Sequence, residues 1–141
     1  MPIALLIRRV TFSAAHRLHC NDLSDRENLE IFGKCDNLNG HGHNYALEVT
    51  VRGAISPRTG MVMNLSDLSE VIDVEVIKQL DHKHLNLDVP AFHETNPTAE
   101  NIAVFIWKAL QKKLPRGFLQ EVKLRETENN VVIYRGEGSG P

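Results

Sequence analysis

The sequence contains little cysteine and few aromatic residues, and neither sign of charge predominates. Its 141 residues include 2 Cys and 6% aromatic side chains, and 16 basic against 18 acidic groups give a formal net charge of -2. Two cysteines cannot frame a disulfide scaffold, which favours a reduced, cytoplasmic protein. Without an overall basic field, there is no electrostatic basis for a nucleic-acid or membrane partner.

Long hydrophobic runs are also missing. No uninterrupted apolar stretch exceeds six residues, and the one nearest the N-terminus, residues 3–7, is far shorter than the roughly 20 residues that cross a bilayer. Arg8 and Arg9 follow this stretch instead of preceding it, which is not the pattern of a signal peptide. A chain of this length is expected to form one core. We therefore expect a single domain over residues 1–135 and a flexible tail at 136–141.

Hydrophobic periodicity predicts an α+β fold. Alternation of apolar and polar residues predicts strands at 10–16, 45–51, 121–127 and 131–135. A helical period predicts one helix at 64–80 and a second that opens within residues 96–100. Loops are predicted at 20–34 and 81–96. The element order is ββααββ, which describes a four-stranded antiparallel sheet with two helices on one face. Such a sheet leaves its other face and two edges uncovered, which favours assembly with further copies.

The strongest chemical signal is the run GHGHN at residues 40–44, where the second strand begins. Residues two apart in a strand point the same way, so His41 and His43 present two imidazoles to one side. His16 ends the first strand and supplies a third imidazole if these two strands pair. Three histidines with an open fourth position are typical of a catalytic zinc site, whereas a structural zinc takes four protein ligands.

Two further groups have both a chemical and a structural interpretation. Cys35 precedes His41 by six residues, so it is either a thiolate base or nucleophile near the cation, or a small buried hydrophobe. Asp81 and His82 follow the first long predicted helix. They form either a carboxylate and imidazole pair that carries protons, or the cap of a helix end.

Glu126 shares the inward phase of Val122 and Leu124 on the third predicted strand. A buried carboxylate needs a partner, which would be either the N–H groups of a ligand or solvent at the strand end. Glu100 lies at a predicted helix start, where the helix dipole alone explains an acid. The remaining candidate ligands have no partner at useful spacing and stay unassigned: His19, Cys20, His84 and His93.

Taken in order, these motifs resemble the 6-pyruvoyl-tetrahydropterin synthase family over nearly the whole chain. The matching stretches are FSAAHRL (12–18), FGKC (32–35), NGHGHNY (39–45), LDHK (80–83), NPTAEN (96–101), ET (126–127) and YRGE (134–137). One departure is Ala99, where many relatives have a second threonine. If 32–35 is joined with 39–45 and 126–127 with 134–137, these stretches form five ordered blocks, which are far more specific than any single motif.

The resemblance implies a tunnelling fold, in which subunits join their sheets edge to edge into a β-barrel with the helices outside. It implies a homohexamer built as a dimer of trimers. By position, it makes His16, His41 and His43 ligands of one zinc ion per subunit and Cys35 the proton-abstracting base. Asp81 and His82 would be its proton-relay partners across a subunit boundary, and the pterin would be held by Glu126, with Thr98 and Glu100.

The implied reaction converts 7,8-dihydroneopterin triphosphate to 6-pyruvoyl-tetrahydropterin with loss of triphosphate, a lyase step in tetrahydrobiopterin biosynthesis. Zinc would acidify the side-chain hydroxyls, and acid and base groups would move protons between carbons. Magnesium is expected only with the substrate phosphates. The redox change is internal to the substrate, so no nicotinamide or flavin is expected.

Three alternative interpretations share some of these features. The nearest is 6-carboxy-tetrahydropterin synthase of the queuosine pathway, whose members usually place three residues between cysteine and His-Gly-His, whereas residues 36–40 make five here. The metal motif of the cupin family has a similar spacing to His41, His43 and Glu48. However, no second histidine motif follows, and two helical stripes occupy the middle of the chain. A non-enzymatic zinc-binding module would have a closed metal shell and would not need Cys35 for activity.

Overall fold

Two long paired strands form the centre of the molecule. In the computed structural model, which describes residues 1–138, β1 (Ile3–His16) pairs antiparallel with β2 (His41–Ala54) along all 14 residues of each. The remaining elements are α1 (Asp25–Phe32), α2 (Leu65–Ile72), α3 (Lys78–Leu80), β3 (Lys83–His84), α4 (Leu85–Asp88), α5 (Ala99–Gln111), β4 (Leu119–Thr127) and β5 (Asn130–Tyr134). Residues 139–141 of the predicted tail lie outside the described residues.

The sheet has five strands in the order β3-β1-β2-β4-β5. The four long strands are antiparallel neighbours, as the periodicity predicts. The prediction of four strands and of a continuous loop at 81–96 was wrong, because β3 adds to the edge of β1 in parallel through Ala14 opposite Lys83 and Ala15 opposite His84. A strand of two residues is too short to produce a hydrophobic period.

The predicted helix at residues 64–80 is present but is not uniform. Helix α2, a π-helical turn (Asp73–Ile77) and α3 follow one another without a break, and the Asn64 side chain accepts the Ser66 N–H as N-cap. The second predicted helix, α5, begins at Ala99 and takes Thr98 as its N-cap. Its hydroxyl accepts the N–H of Asn101 at 3.2 Å.

The prediction of a loop over residues 20–34 was wrong, since α1 occupies its centre. Ser24 and Glu27 form a reciprocal capping box at the start of this helix. The Ser-x-x-Glu spacing was readable in the sequence as a helix start. The helix is polar on most of its surface, which hides the hydrophobic stripe that normally identifies a helix.

The core lies between one face of the sheet and the helices. Tyr45, Leu47, Val49 and Val51 of β2 point inward and are fully buried. They belong to one cluster with apolar side chains of the helices, namely Leu68, Ile72, Val76, Leu80, Ile102, Ile106 and Leu110. On the opposite face Ile3, Leu5 and Ile7 are each more than half exposed. Among residues 1–138, no helix is both long and apolar enough to span a bilayer.

We expect Leu47→Ala to lower the free energy of unfolding by about 3 kcal/mol, because it removes buried methyl groups and leaves a cavity. Leu65→Ala is the matched control, since Leu65 is 49% exposed at the start of α2, and it should change stability by less than about 1 kcal/mol. Urea denaturation measures both. Equal losses in the two variants would contradict the inward orientation of Leu47.

Candidate metal centre and active site

Strand pairing brings three imidazoles together. The register of β1 against β2 places His16 directly opposite His41, where one strand ends and the other begins. His43 lies two residues further along β2 and therefore points to the same face. One ring nitrogen of each histidine lies within 4.8 Å of those of the other two. The two Nε2 atoms of His16 and His41 are 3.1 Å apart.

His16 is held as a neutral imidazole with a defined tautomer. Its Nδ1–H donates to the carbonyl oxygen of Pro97 at 2.7 Å, so Nε2 carries the free lone pair that faces His41. Burial lowers the pKa of His16 to about 4; the Pro97 hydrogen bond opposes this shift, and charge on His41 and His43 adds to it. The ring is therefore uncharged at neutral pH and ready to bind a cation.

The donor set fits a metal ion. Within residues 1–138, His43 Nε2 and His41 Nδ1 are buried nitrogens without a hydrogen-bond partner, and burial lowers the pKa of His41 as well. Buried polar atoms are rarely left unpaired, because desolvation without a new partner costs free energy. Three neutral imidazoles are a common ligand set for zinc, with the fourth position left for substrate or water.

Glu126 lies beside this group of histidines. One carboxylate oxygen is 3.9 Å from His16 Nε2 and the other is 3.9 Å from His43 Nε2. The ladder between β4 and β5 is irregular between Arg125 and Thr127, at the position of Glu126. Bulges of this kind redirect a side chain near functional sites. The carboxylate therefore faces the histidines from the inner face of the sheet, as its phase predicts.

Asp81 and His82 follow α3 and contact β1. Asp81 Oδ1 accepts the Ser13 N–H at 2.9 Å, and this hydrogen bond lowers the pKa of the carboxyl group. Its other oxygen lies 3.0 Å from His82 Nδ1, so the two side chains form a pair. His82 has a positive φ of 61° and is largely exposed. His82 and His43 line one cavity of about 540 Å³.

Cys35 lies in a short 3₁₀ helix (Gly33–Asp36) that ends close to the end of β1. Its carbonyl oxygen accepts the N–H of Leu18 at 2.8 Å, two residues beyond His16. The thiol is reduced and half-buried. Backbone contact to the segment that follows β1 thus brings Cys35 to the end of the strand that carries His16.

The segment that leads into α5 contacts His16. Thr98 caps the helix, and Pro97 immediately before it holds His16. Glu100 follows in the first turn and is exposed. This segment therefore both orients a histidine and offers polar groups near it.

Two participants were not identified from the sequence. The Pro97 carbonyl is a backbone group, so no side-chain pattern announces it. Gly40 has φ +78°, and a Cβ there would lie 2.9 Å from both the His16 carbonyl oxygen and His84 Nε2. Only glycine permits this close approach before His41. His84, which the sequence left unassigned, thus packs directly behind the histidine motif.

Comparisons with known proteins agree with this geometry. The sequence model of the family described as 6-pyruvoyl tetrahydropterin synthase matches residues 5–137. The proteins named 6-pyruvoyl tetrahydrobiopterin synthase from Pongo abelii and Homo sapiens are 57% and 56% identical over 134 residues, covering 95% of this chain and 92% of their own. The solved structure of Caenorhabditis elegans 6-pyruvoyl tetrahydropterin synthase is 43% identical, with a TM-score of 0.93 over 97% of this chain and 98% of that one.

His43→Ala should abolish stoichiometric metal binding, because two remaining imidazoles hold a divalent ion far more weakly than three. Isothermal titration with zinc measures this. His93→Ala is the matched control, since the His93 ring lies on an exposed surface with its Nε2 3.3 Å from the Leu87 carbonyl, and this variant should bind zinc like the parent chain. Unchanged zinc affinity in His43→Ala would contradict the three-histidine site.

The metal-free protein should lose stability as the pH falls from about 6.5 towards 4. In this interval the unfolded His16, with its ordinary pKa of 6.5, takes up a proton that the folded form, with a pKa of about 4, does not. The loss attributable to His16 should be on the order of 2 kcal/mol. Urea denaturation in the presence of a chelator, compared with His16→Leu, measures it. An identical pH slope in the two proteins would contradict the assignment.

Proposed function

The chain belongs to the 6-pyruvoyl tetrahydropterin synthase family, and on this premise we propose that it converts 7,8-dihydroneopterin triphosphate to 6-pyruvoyl-tetrahydropterin and triphosphate. The observation that carries the proposal is that the β1 and β2 register brings three histidines together, next to an inward carboxylate. The high identity to synthases from several animals along almost the whole chain supports the same activity.

His16, His41 and His43 would hold one zinc ion per subunit. When bound, zinc supplies a Lewis acid that makes the hydroxyl groups of the substrate side chain and the adjacent C–H more acidic. The protein's own contribution is to orient the three rings and, through burial, to lower the pKa of His16 and His41. Pro97 fixes the tautomer of His16, and burial keeps protons from competing for its lone pair.

Cys35 is the proposed base. A thiolate close to a cation is favoured over the thiol, and it would take a proton from the side-chain carbon of the substrate. Asp81 and His82 would return protons, since a carboxylate that accepts from Nδ1–H makes the other ring nitrogen a better base. Their distance of 3.0 Å and shared cavity with His43 support this role. In a homohexamer formed as a dimer of trimers, they would act on a neighbouring subunit's substrate.

Glu126 would anchor the pterin ring. A carboxylate accepts two parallel hydrogen bonds, which matches the amino group and adjacent ring N–H of a pterin. Because its oxygens lie 3.9 Å from His16 and His43 Nε2, a ring bound to it would direct its side chain to the histidines. Thr98 and Glu100 at the start of α5 would contact the same ring.

The electrons move within the substrate, so the proposed reaction needs neither nicotinamide nor flavin. Magnesium would enter only with the substrate phosphates. Assembly into a barrel would cover the outward side chains of Ile3, Leu5 and Ile7, which are exposed in the single subunit. The cytoplasm is the proposed location. The names of the highly identical relatives favour this activity over 6-carboxy-tetrahydropterin synthase.

The direct test is to incubate the zinc-loaded protein with 7,8-dihydroneopterin triphosphate and measure triphosphate and the pterin product. We expect stoichiometric release of triphosphate and a pyruvoyl product without acetaldehyde. A chelated sample is the control and should be inactive. Release of acetaldehyde would instead assign the carboxy-forming reaction, and no turnover by zinc-loaded protein would contradict both.

Cys35→Ala should retain zinc and lose at least about 100-fold in kcat, because general-base catalysis is worth roughly this much. Cys20→Ala is the matched control. The Asn28 side chain accepts the Cys20 N–H and donates to the Cys20 carbonyl, and the substitution keeps both of these backbone groups. Metal analysis and initial rates measure both variants. Loss of zinc in Cys35→Ala would make this cysteine a ligand and not the base.

A further inference from the structure

A group of charged side chains with no assigned role lies next to Cys35. It consists of Arg17 and His19, just beyond His16, and Asp36, just beyond Cys35. We propose that Asp36 is a positioning residue, which holds the Cys35 thiol in place relative to the histidines through Arg17 and His19. This inference rests on the proposed function of Cys35 as the base.

Asp36 is contacted by the side chains of both Arg17 and His19. One carboxylate oxygen, Oδ1, lies 3.1 Å from Arg17 Nη2 and 2.5 Å from His19 Nδ1. Arg17 also donates from Nε to the main-chain carbonyl of Asp36 at 2.9 Å. The Asp36 side chain is only 12% exposed, so water screens these contacts less than at a free surface. The guanidinium thus fixes both the backbone and the side chain of one residue.

The backbone contact of Cys35 completes the connection. Leu18, between Arg17 and His19, donates its N–H to the Cys35 carbonyl at 2.8 Å. Residues 17–19 therefore hold Cys35 and Asp36 of the 3₁₀ helix through four contacts. The carbonyls of Cys35 and Asp36 are both fixed, which fixes the backbone position from which the Cys35 thiol projects.

The same three residues are tied to the rest of the site. The Asn86 side chain accepts the Arg17 N–H at 2.8 Å and donates to the Arg17 carbonyl at 2.9 Å. His19 N–H donates to Asn96 Oδ1 at 3.2 Å, one residue before Pro97, which holds His16. Asp36 thereby connects Cys35 to the elements that orient the metal ligand.

This arrangement predicts an effect on the chemical step and not on substrate binding. Displacing a base by about 1 Å can lower a rate by roughly 100-fold. Asp36 contacts neither the three histidines nor Glu126, so its loss should leave zinc content and KM nearly unchanged. The planar guanidinium of Arg17 matters as well. Lysine has the same charge, but its single ammonium group cannot reach the carbonyl and the carboxylate of Asp36 in the same way.

The test is Asp36→Asn, with Glu30→Gln as the matched control. Both substitutions remove one carboxylate charge, and Glu30 pairs only with Arg26 on an exposed face of α1. We expect Asp36→Asn to lower kcat by about 10-fold or more, with KM within about twofold and one zinc per chain. Arg17→Lys should behave similarly and supplies the same test if Asp36→Asn folds poorly. The double variant should be no slower than the slower single variant.

A second measurement does not depend on turnover. In a Cys20→Ser background, Asp36→Asn should raise the rate of Cys35 alkylation by iodoacetamide several-fold, because the 3₁₀ helix opens more readily. Wild-type kcat and alkylation rate in Asp36→Asn would overturn the inference. A parallel loss of zinc, KM and kcat would also overturn it, since Asp36 would then be a general structural residue. An inactive parent chain would instead overturn the proposed function, while the alkylation rates would still test the positioning role.

Discussion

The register between β1 and β2 is the constraint on which the site depends. It sets His16 opposite His41, and the two-residue period of β2 then adds His43 to the same face. A slip of one residue would turn every side chain of a strand to the opposite face, exchanging the buried row from Tyr45 to Val51 for outward groups. The apolar core therefore enforces the same register that gathers the imidazoles, and stability and chemistry are fixed by one set of backbone hydrogen bonds.

Burial of these imidazoles leaves ring nitrogens that need a partner and do not find one in the protein's described residues. His16 is fully buried, and His43 Nε2 finds no partner among residues 1–138. The Pro97 carbonyl satisfies one nitrogen of His16, and the remaining lone pairs converge on one point near the Glu126 carboxylate. A divalent cation would satisfy nitrogens that are otherwise left without partners. The same low-dielectric setting would strengthen any hydrogen bond that Glu126 makes to a pterin.

The long elements and the histidine trio were predictable, because each leaves a periodic signal. Four strands, the helical stretch from Leu65 and the convergence of His16, His41 and His43 follow from periods of 2 and 3.6. What escaped prediction was short or belonged to the backbone. The two-residue β3 is too short for a period, and the Pro97 carbonyl is a backbone group that no side-chain pattern indicates. Helix α1 is polar and lacks a clear hydrophobic stripe, so its Ser24 cap was the only signal for it. The Arg17 and Asp36 contact joins residues 19 apart through a loop, and no local pattern announces such pairs.

The central claim is that three imidazoles hold the metal while the nearby thiol stays free. Zinc K-edge X-ray absorption of the zinc-loaded protein tests it most directly. We expect only nitrogen and oxygen atoms around the zinc, with three imidazole nitrogens at about 2.0 to 2.1 Å. A sulfur scatterer at about 2.3 Å, or fewer than three imidazoles, would contradict it.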